Sequence, residues 1–398
     1  MTAVLAALTI TAQESPFETK EQPVTPQEVL KLAQRANDYF MRNYEDPTVP
    51  TNWKKVRPSS LWTRAVYYEG LMALYNVDPQ QRYLDYTDTW GAFHQWTPRN
   101  GITTCDADDQ CCAQTYLMRF VQTGDSARLT PTLQNLEHQM VTPNEKGLNE
   151  KAKLPEGKLS TPKSKLSALY GWWTWIDAIQ MAMPVYMQAY KITGDKRFKE
   201  HGMKMYRWSR NVCGGGLFNT KNGLWWRDAD YVPPYQEPDG KDCYWSRGDG
   251  WVVAALVRCM DQLSRKDKAY KELKKDYLMM MDGIRQCQRE DGFWNVSLVS
   301  SNYAGPETTG TALFLYGISW GLQQGYLKPE VYRPVADRAY KALATVVHPN
   351  GFLGWVQGTG KDPSAGQPLS FYRIPDFEDY GTGAFLLGLT EYYKLINK

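Results

Sequence analysis

The sequence predicts an all-α fold in which six helical hairpins close into a double ring. Three observations carry this. Apolar residues recur at helical spacing through about twelve segments, and no convincing run of apolar–polar alternation competes with them. The connections between segments alternate, short then long, along the whole chain. The last segment, GTGAFLLGLTEYYKLI, is as apolar as the middle ones, whereas an open solenoid needs a polar capping unit at its end.

In chain order the periodicity predicts helices near 26–44, 60–76, 81–97, 110–122, 127–140, 170–193, 196–212, 245–264, 268–289, 306–323, 329–347 and 378–396. Short links join them in pairs: NVDPQQRY (76–83), QTGDSARL (122–129), ITGDKRF (192–198), SRKDKAY (264–270) and QQGYLKPEVY (323–332). Gly, Asp and Pro in these links end one helix and cap the next. Long connections near 45–59, 98–109, 141–169, 213–244, 290–305 and 348–377 separate the pairs, with room for short strands. In an antiparallel array, strict alternation puts every long loop at one end. The helices that follow long loops are then the inner ones, and the Gly-rich, apolar runs YGWWTWIDAIQMAMP, GTGTALFLYGISWG and GTGAFLLGL suit close packing near an axis. Six loops and six inner helix starts should surround one cavity. Residues 25–398 form this single domain, and 1–24 read as a signal remnant or disordered N-terminal segment. Residues 2–12 resemble the apolar core of a secretory signal without its basic start, so export is expected; the run is too short to span a bilayer.

Composition excludes several classes. A net charge of +3 with no basic stripe argues against a nucleic-acid partner. Four histidines without HxH or HExxH spacing, and seven cysteines without CxxC pairs, argue against a metal site; buried free thiols are expected, although one disulfide is compatible with the spacing. The aromatic content is the anomaly. With 15 Trp and 26 Tyr, the chain has rings to fill a core and rings left over to stack on sugars.

Unusual residues collect at the predicted inner helix starts. CYWSRGDGW brings Trp245, Arg247, Asp249 and Trp251; CDADDQCC brings Asp106, Asp108 and Asp109; YGWWTWID brings Trp172, Trp173, Trp175 and Asp177. AGPETTG brings Glu307 and Thr308, and IPDFEDYG brings Asp376, Glu378 and Asp379. Some have plain explanations. Asp108 or Asp109 suits an N-cap, Glu307 complements a helix dipole, and Arg247 suits a structural ion pair. Asp177 is expected inside its helix among apolar neighbours, where capping cannot account for it and desolvation favours a general acid. Carboxylates, indoles and an arginine that can grip a carboxylate in a fork point to a saccharide, and to a uronic acid in particular.

At these residues the chain resembles the unsaturated rhamnogalacturonyl hydrolases of glycoside hydrolase family 105 and the related unsaturated glucuronyl hydrolases of family 88. The likeness spans roughly 25–396 and rests on WSRGDGW (245–251), the stretch around Asp177, ADDQCCAQTYL (107–117) and ETTGTALFLYGISWGLQQGYL (307–327). The resemblance implies an (α/α)6 barrel, no cofactor, and an oligosaccharide carrying a 4,5-unsaturated uronate at its non-reducing end. It implies that Asp177 protonates C4 of the vinyl ether and activates water for attack at C5, after which the hemiketal collapses. Asp108 or Asp109 would assist, Arg247 would hold the uronate carboxylate, and Trp245, Trp251 and Trp173 would line the subsite. Two departures stand out. Asp249 replaces the family's usual Asn, and Arg227 stands near the place of a substrate-facing His; together they are expected to alter substrate choice. An inverting glycosidase of the same fold, pairing Asp177 with Asp108 or Asp249 on a saturated sugar, and a non-catalytic sugar receptor are the other readings.

Overall fold

Helix α1 (Pro26–Asn43) begins with a reciprocal cap. Thr25 accepts from the Glu28 amide, the Glu28 carboxylate accepts from the Thr25 amide at 2.7 Å, and Pro26 sits where no helical N–H is needed. Val29, Ala33, Ala36 and Phe40 give it one buried face, so α1 is an outer helix. The computed structural model describes residues 23–53, 55–141, 172–373 and 379–398. The signal-like run, Asp376 and Glu378 lie outside them.

Among the described residues eleven further helices follow: α2 (Trp62–Tyr75), α3 (Gln81–Phe93), α4 (Ala107–Thr123), α5 (Thr130–Val141), α6 (Asp177–Thr193), α7 (Lys196–Asn211), α8 (Ser246–Gln262), α9 (Lys268–Gln286), α10 (Thr308–Gln323), α11 (Pro329–Ala344) and α12 (Asp379–Ile396). The short links behave as their chemistry requires. Gly124 and Gly194 end α4 and α6 in the left-handed conformation, at φ 71° and 75°. Asp195 and Asp267 cap α7 and α9 by accepting from the Arg197 and Ala269 amides. Two small antiparallel hairpins, β1–β2 (Thr51–Trp53 with Lys55–Arg57) and β3–β4 (Phe218–Asn219 with Leu224–Trp225), sit in the long loops.

The even-numbered helices form a closed ring, α2 on α4, α4 on α6, α6 on α8, α8 on α10, α10 on α12, and α12 back on α2. Each odd-numbered helix packs outside. The sixth hairpin is made by the two ends of the chain, with α1 against α12. This is the (α/α)6 double ring. Nearly every side chain of α10 and α12 is buried, as expected of inner helices. Backbones touch where α12 crosses its neighbours. A Cβ on Gly383 would lie 2.2 Å from the Val66 carbonyl oxygen, and one on Gly388 2.5 Å from that of Ala312. Among the described residues, no helix is long and apolar enough to cross a membrane.

One helix begins later than its periodicity predicts. Of the expected 170–193 segment, the described residues 172–176 are not helical, and α6 starts at Asp177. Trp175 instead bridges Asp228 in antiparallel fashion, and the Ile176 amide donates to the Arg227 carbonyl at 2.9 Å. The 227–228 loop thus takes the backbone groups that a longer helix would have used.

Candidate active site

Asp177 is the first residue of α6, not an interior one, and is buried, 8% exposed, at the loop-bearing end of the ring. Its Oδ2 accepts from Arg227 Nε at 3.1 Å, and Arg227 Nη1 donates to Asp228 Oδ2 at 2.5 Å. Burial works to lower the Arg227 pKa, but Asp177, then Asp228 and Asp108, outweigh it and hold the guanidinium charged. The cation that Asp177 needs in so apolar a setting is therefore the residue that departs from the expected His.

The two aspartates at the start of α4 separate in role. Asp106, not either of them, caps the helix by accepting from the Asp108 amide at 3.0 Å. Asp109 is buried, and its carboxylate accepts from Arg99 Nε (2.6 Å), Asn100 Nδ2 (2.9 Å) and Thr104 Oγ1 (2.5 Å), tying down the 99–104 loop. Asp108 is half-buried and lies within the electrostatic reach of Arg227. It is the member of the pair that shares a field with Asp177.

The WSRGDGW segment builds a clamp. Trp245 precedes α8 and donates from Nε1 to Gln357 Oε1 at 2.7 Å. Arg247 is fully buried, with Nη1 on the Gln357 carbonyl and Nη2 on the Gly358 carbonyl, both at 2.7 Å. Its guanidinium lies 4.5 Å from the Trp245 ring centre and 5.0 Å from that of Tyr380, whose hydroxyl also donates to the Gln357 carbonyl. Glu307 caps α10 through the Thr309 and Gly310 amides and accepts from the Gln357 amide at 3.4 Å. Four inner-helix residues thus converge on one turn, 357–358. Both glycines of the motif lie at crowded helix contacts, since a Cβ on Gly250 would meet Leu313 at 2.9 Å and one on Gly248 would meet Ile176 at 3.1 Å.

Asp249 faces away from this clamp. It is fully buried and accepts from the Trp225 amide at 2.9 Å, and among the described residues its other oxygen has no hydrogen-bond partner. Burial pushes its pKa well above the carboxylate range, against the pull of the Trp225 bond. The neutral form this favours has the shape and acceptor of the asparagine it replaces. Trp251 packs edge-on to Trp62 at 6.2 Å, and Trp173 packs in the core against Tyr186 at 6.3 Å.

Sequence reading missed several participants. Trp62 opens α2 at the same end as the other starts, half-buried, with Tyr380 at 5.4 Å. Arg64 is buried against Asp379 at 3.3 Å, joining the first and last inner helices. The signal for Trp62 was available, because it too follows a long loop. Beneath the site, Gln180, one turn after Asp177, donates to Glu69 Oε2 at 2.8 Å, and Gln114 donates to the Gln180 carbonyl at 2.7 Å. Arg258 completes this axial network, 3.6 Å from Glu69. Burial, opposed by Arg258 and by hydrogen bonds from Cys111 and Gln180, pushes Glu69 up to about 7. None of the seven cysteines is in a disulfide, and among the described residues no cluster of His, Cys, Asp and Glu has the geometry to hold a metal ion.

The family model described as Glycosyl Hydrolase Family 88 matches residues 32–396. An unsaturated 3S-rhamnoglycuronyl hydrolase of Formosa agariphila is 30% identical over 344 residues, covering 84% of each chain. One of the same name from an Alteromonas species is 32% identical over 291 residues, 72% of this chain and 66% of that one. Among solved structures, a glycosyl hydrolase family 88 protein from Bacteroides vulgatus superimposes with a TM-score of 0.78 at 29% identity, covering 94% of this chain and all of that one.

Proposed function

Because the chain belongs to Glycosyl Hydrolase Family 88 and is a glycoside hydrolase, we propose that it removes a 4,5-unsaturated uronic acid from the non-reducing end of lyase-generated oligosaccharides. The sugar next to the uronate is proposed to be rhamnose, sulfated at position 3 if the 3S in the names of two relatives, both unsaturated 3S-rhamnoglycuronyl hydrolases, is read as a 3-sulfate. The observation that carries the reading is the Asp177–Arg227 pair at the first turn of an inner helix, with Asp108 in the same field.

In this reading Asp177 gives a proton to C4 of the vinyl ether, which places developing positive charge at C5. The same carboxylate, now ionised, takes a proton from the water that attacks C5. The resulting hemiketal opens by breaking its C5–O5 bond, the C5 hydroxyl becoming a ketone as its proton passes to the ring oxygen. The C1 hemiacetal left behind then becomes an aldehyde, and the departing sugar's oxygen leaves with that proton. Arg227, held by Asp177 and Asp228 through Nε and Nη1, brings its positive charge to the place where the uronate carboxylate would sit. Asp108 is the second acidic group. Arg247 was expected to hold that carboxylate; with both terminal nitrogens on carbonyls, it serves here by fixing the 357–358 turn and Trp245. Export belongs to the same proposal, supported by the apolar run at residues 2–12, and fractionation of cells carrying the full-length chain tests it.

The test follows the ultraviolet absorbance of the conjugated C4=C5 carboxylate. Wild type should abolish it on an unsaturated uronyl-rhamnose 3-sulfate disaccharide, and Asp177→Asn should slow that by a factor of roughly 100 to 10,000, the usual share of a general acid–base. No loss with any unsaturated disaccharide would sink the proposal and move the search to saturated sugars. Loss with an unsulfated or non-rhamnose aglycone alone would overturn only the choice of neighbour.

A further inference from the structure

Loop 348–373 carries aromatic rings, Trp355, Phe371 and Tyr372, that the Asp177 site does not use. Trp355, Leu369, Ser370, Phe371 and Tyr372 border a surface cavity of about 420 Å3. Trp355 is a non-glycine residue in the left-handed region, at φ 59°, and such strain persists only where the surroundings impose it. They do so here. Its amide donates to the Ser370 carbonyl at 2.9 Å, and its carbonyl accepts from the Thr308 amide at the start of α10 at 3.0 Å. The indole is thereby set beside Phe371, with ring centres 6.0 Å apart. Phe371 is itself gripped, stacked on His348 at 3.9 Å while its carbonyl bonds His348 Nε2 at 2.7 Å. Tyr372 stands edge-on to Phe371 at 5.0 Å and is 79% exposed. Packing explains Phe371. The indole also packs on the core, but packing does not explain a phenol left in water beside it.

The cavity lies close to the clamp along the chain. Gln357, which receives Trp245 and, through its carbonyl, Arg247, is two residues from Trp355, a span of at most about 7 Å of chain. We propose that Trp355, Phe371 and Tyr372 form an outer subsite that stacks a sugar of the leaving oligosaccharide, beyond the residue joined to the unsaturated uronate. The occupant is a saccharide because aromatic faces pack on the C–H faces of pyranose rings while Ser370 and the Tyr372 hydroxyl remain for its hydroxyls. The proposal rests on the uronyl-hydrolase reading and deepens it: the preferred substrate is a tetrasaccharide or longer rather than the disaccharide.

The experiment compares kcat/KM for an unsaturated disaccharide and tetrasaccharide from the same lyase digest, in wild type, Tyr372→Ala and Trp355→Gly. Glycine suits the left-handed backbone, so the second variant removes the ring without adding backbone strain. Wild type should favour the tetrasaccharide, chiefly through KM, and each variant should cut that ratio by roughly fivefold, the scale of one aromatic contact. A ratio that neither variant changes overturns the subsite. If wild type leaves every unsaturated substrate intact, the uronyl reading fails, and the subsite is judged by tetrasaccharide binding followed through tryptophan fluorescence. Weaker binding by Tyr372→Ala then supports it, and equal or absent binding overturns it.

Discussion

Asp249 shows how one residue changes meaning with its surroundings. In the sequence it is an extra charge beside an arginine; in the fold it is a buried acceptor for the Trp225 amide, held in its neutral form by desolvation. A carboxyl whose folded pKa is raised keeps its proton where the unfolded chain has released it. Stability therefore falls as pH rises above the ordinary aspartate value near 3.9. Asp249→Asn keeps the acceptor and removes the titration. The variant should gain thermal stability relative to wild type as pH is raised from about 5 to 8, and should retain activity on the unsaturated disaccharide. Melting temperatures across that range check it. A variant that loses stability uniformly would show that Asp249 is ionised in the fold.

Among elements, the four inner helices α2, α4, α6 and α8 are joined at the axis by Glu69, Gln114, Gln180 and Arg258, directly beneath the turn that carries Asp177. Glu69, pushed up to about 7 by burial, binds its proton through a window in which the unfolded chain does not. Its contribution is full below about 4.5 and declines as pH rises to 7, by about 3 kcal/mol at most. Glu69→Gln should flatten this decline, so the free-energy difference between variant and wild type should move in favour of Gln across the window. Urea unfolding at several pH values measures it, and a difference independent of pH would remove Glu69 as the titrating group. None of this network was legible in the sequence, because each partner lies on a different helix. What was legible was local: periodicity placed the helices, and Gly and Asp in the short links placed their ends. Asp177 was singled out as a candidate but assigned the wrong place in its helix, since the start of α6 is decided by residues 227–228, some fifty positions away. Arg247 was likewise found, but its partners lie about 110 positions on, in a turn with no motif of its own.

At the scale of the whole molecule the chain must close on itself. The alternation of loops implied a ring, but the sequence did not say that the first and last helices would form its sixth hairpin, because that contact joins opposite ends of the chain. Closure depends on α12, which touches α10, α2 and α1 and crosses its inner neighbours at Gly383 and Gly388 without side chains between the backbones. A Cβ on Gly383 would sit 2.2 Å from the Val66 carbonyl oxygen and 2.7 Å from the Tyr67 Cα, and backbone cannot swing aside as a side chain would. The buried Arg64–Asp379 pair crosses the same seam, so separating the helices also strips a desolvated charge of its partner. Gly383→Val should therefore cost about 3 kcal/mol or more. It should also act beyond its own site, because parting α12 from α2 shifts Arg64, Trp62 and Tyr380 and with them the turn held by Arg247. Hydrogen exchange should show protection lost first in α1, α2 and α12, with α6 and α8 on the far side of the ring opening only on global unfolding. Uniform loss of protection would mean that the ring opens as one cooperative unit and that the chain-end seam is no weaker than the rest.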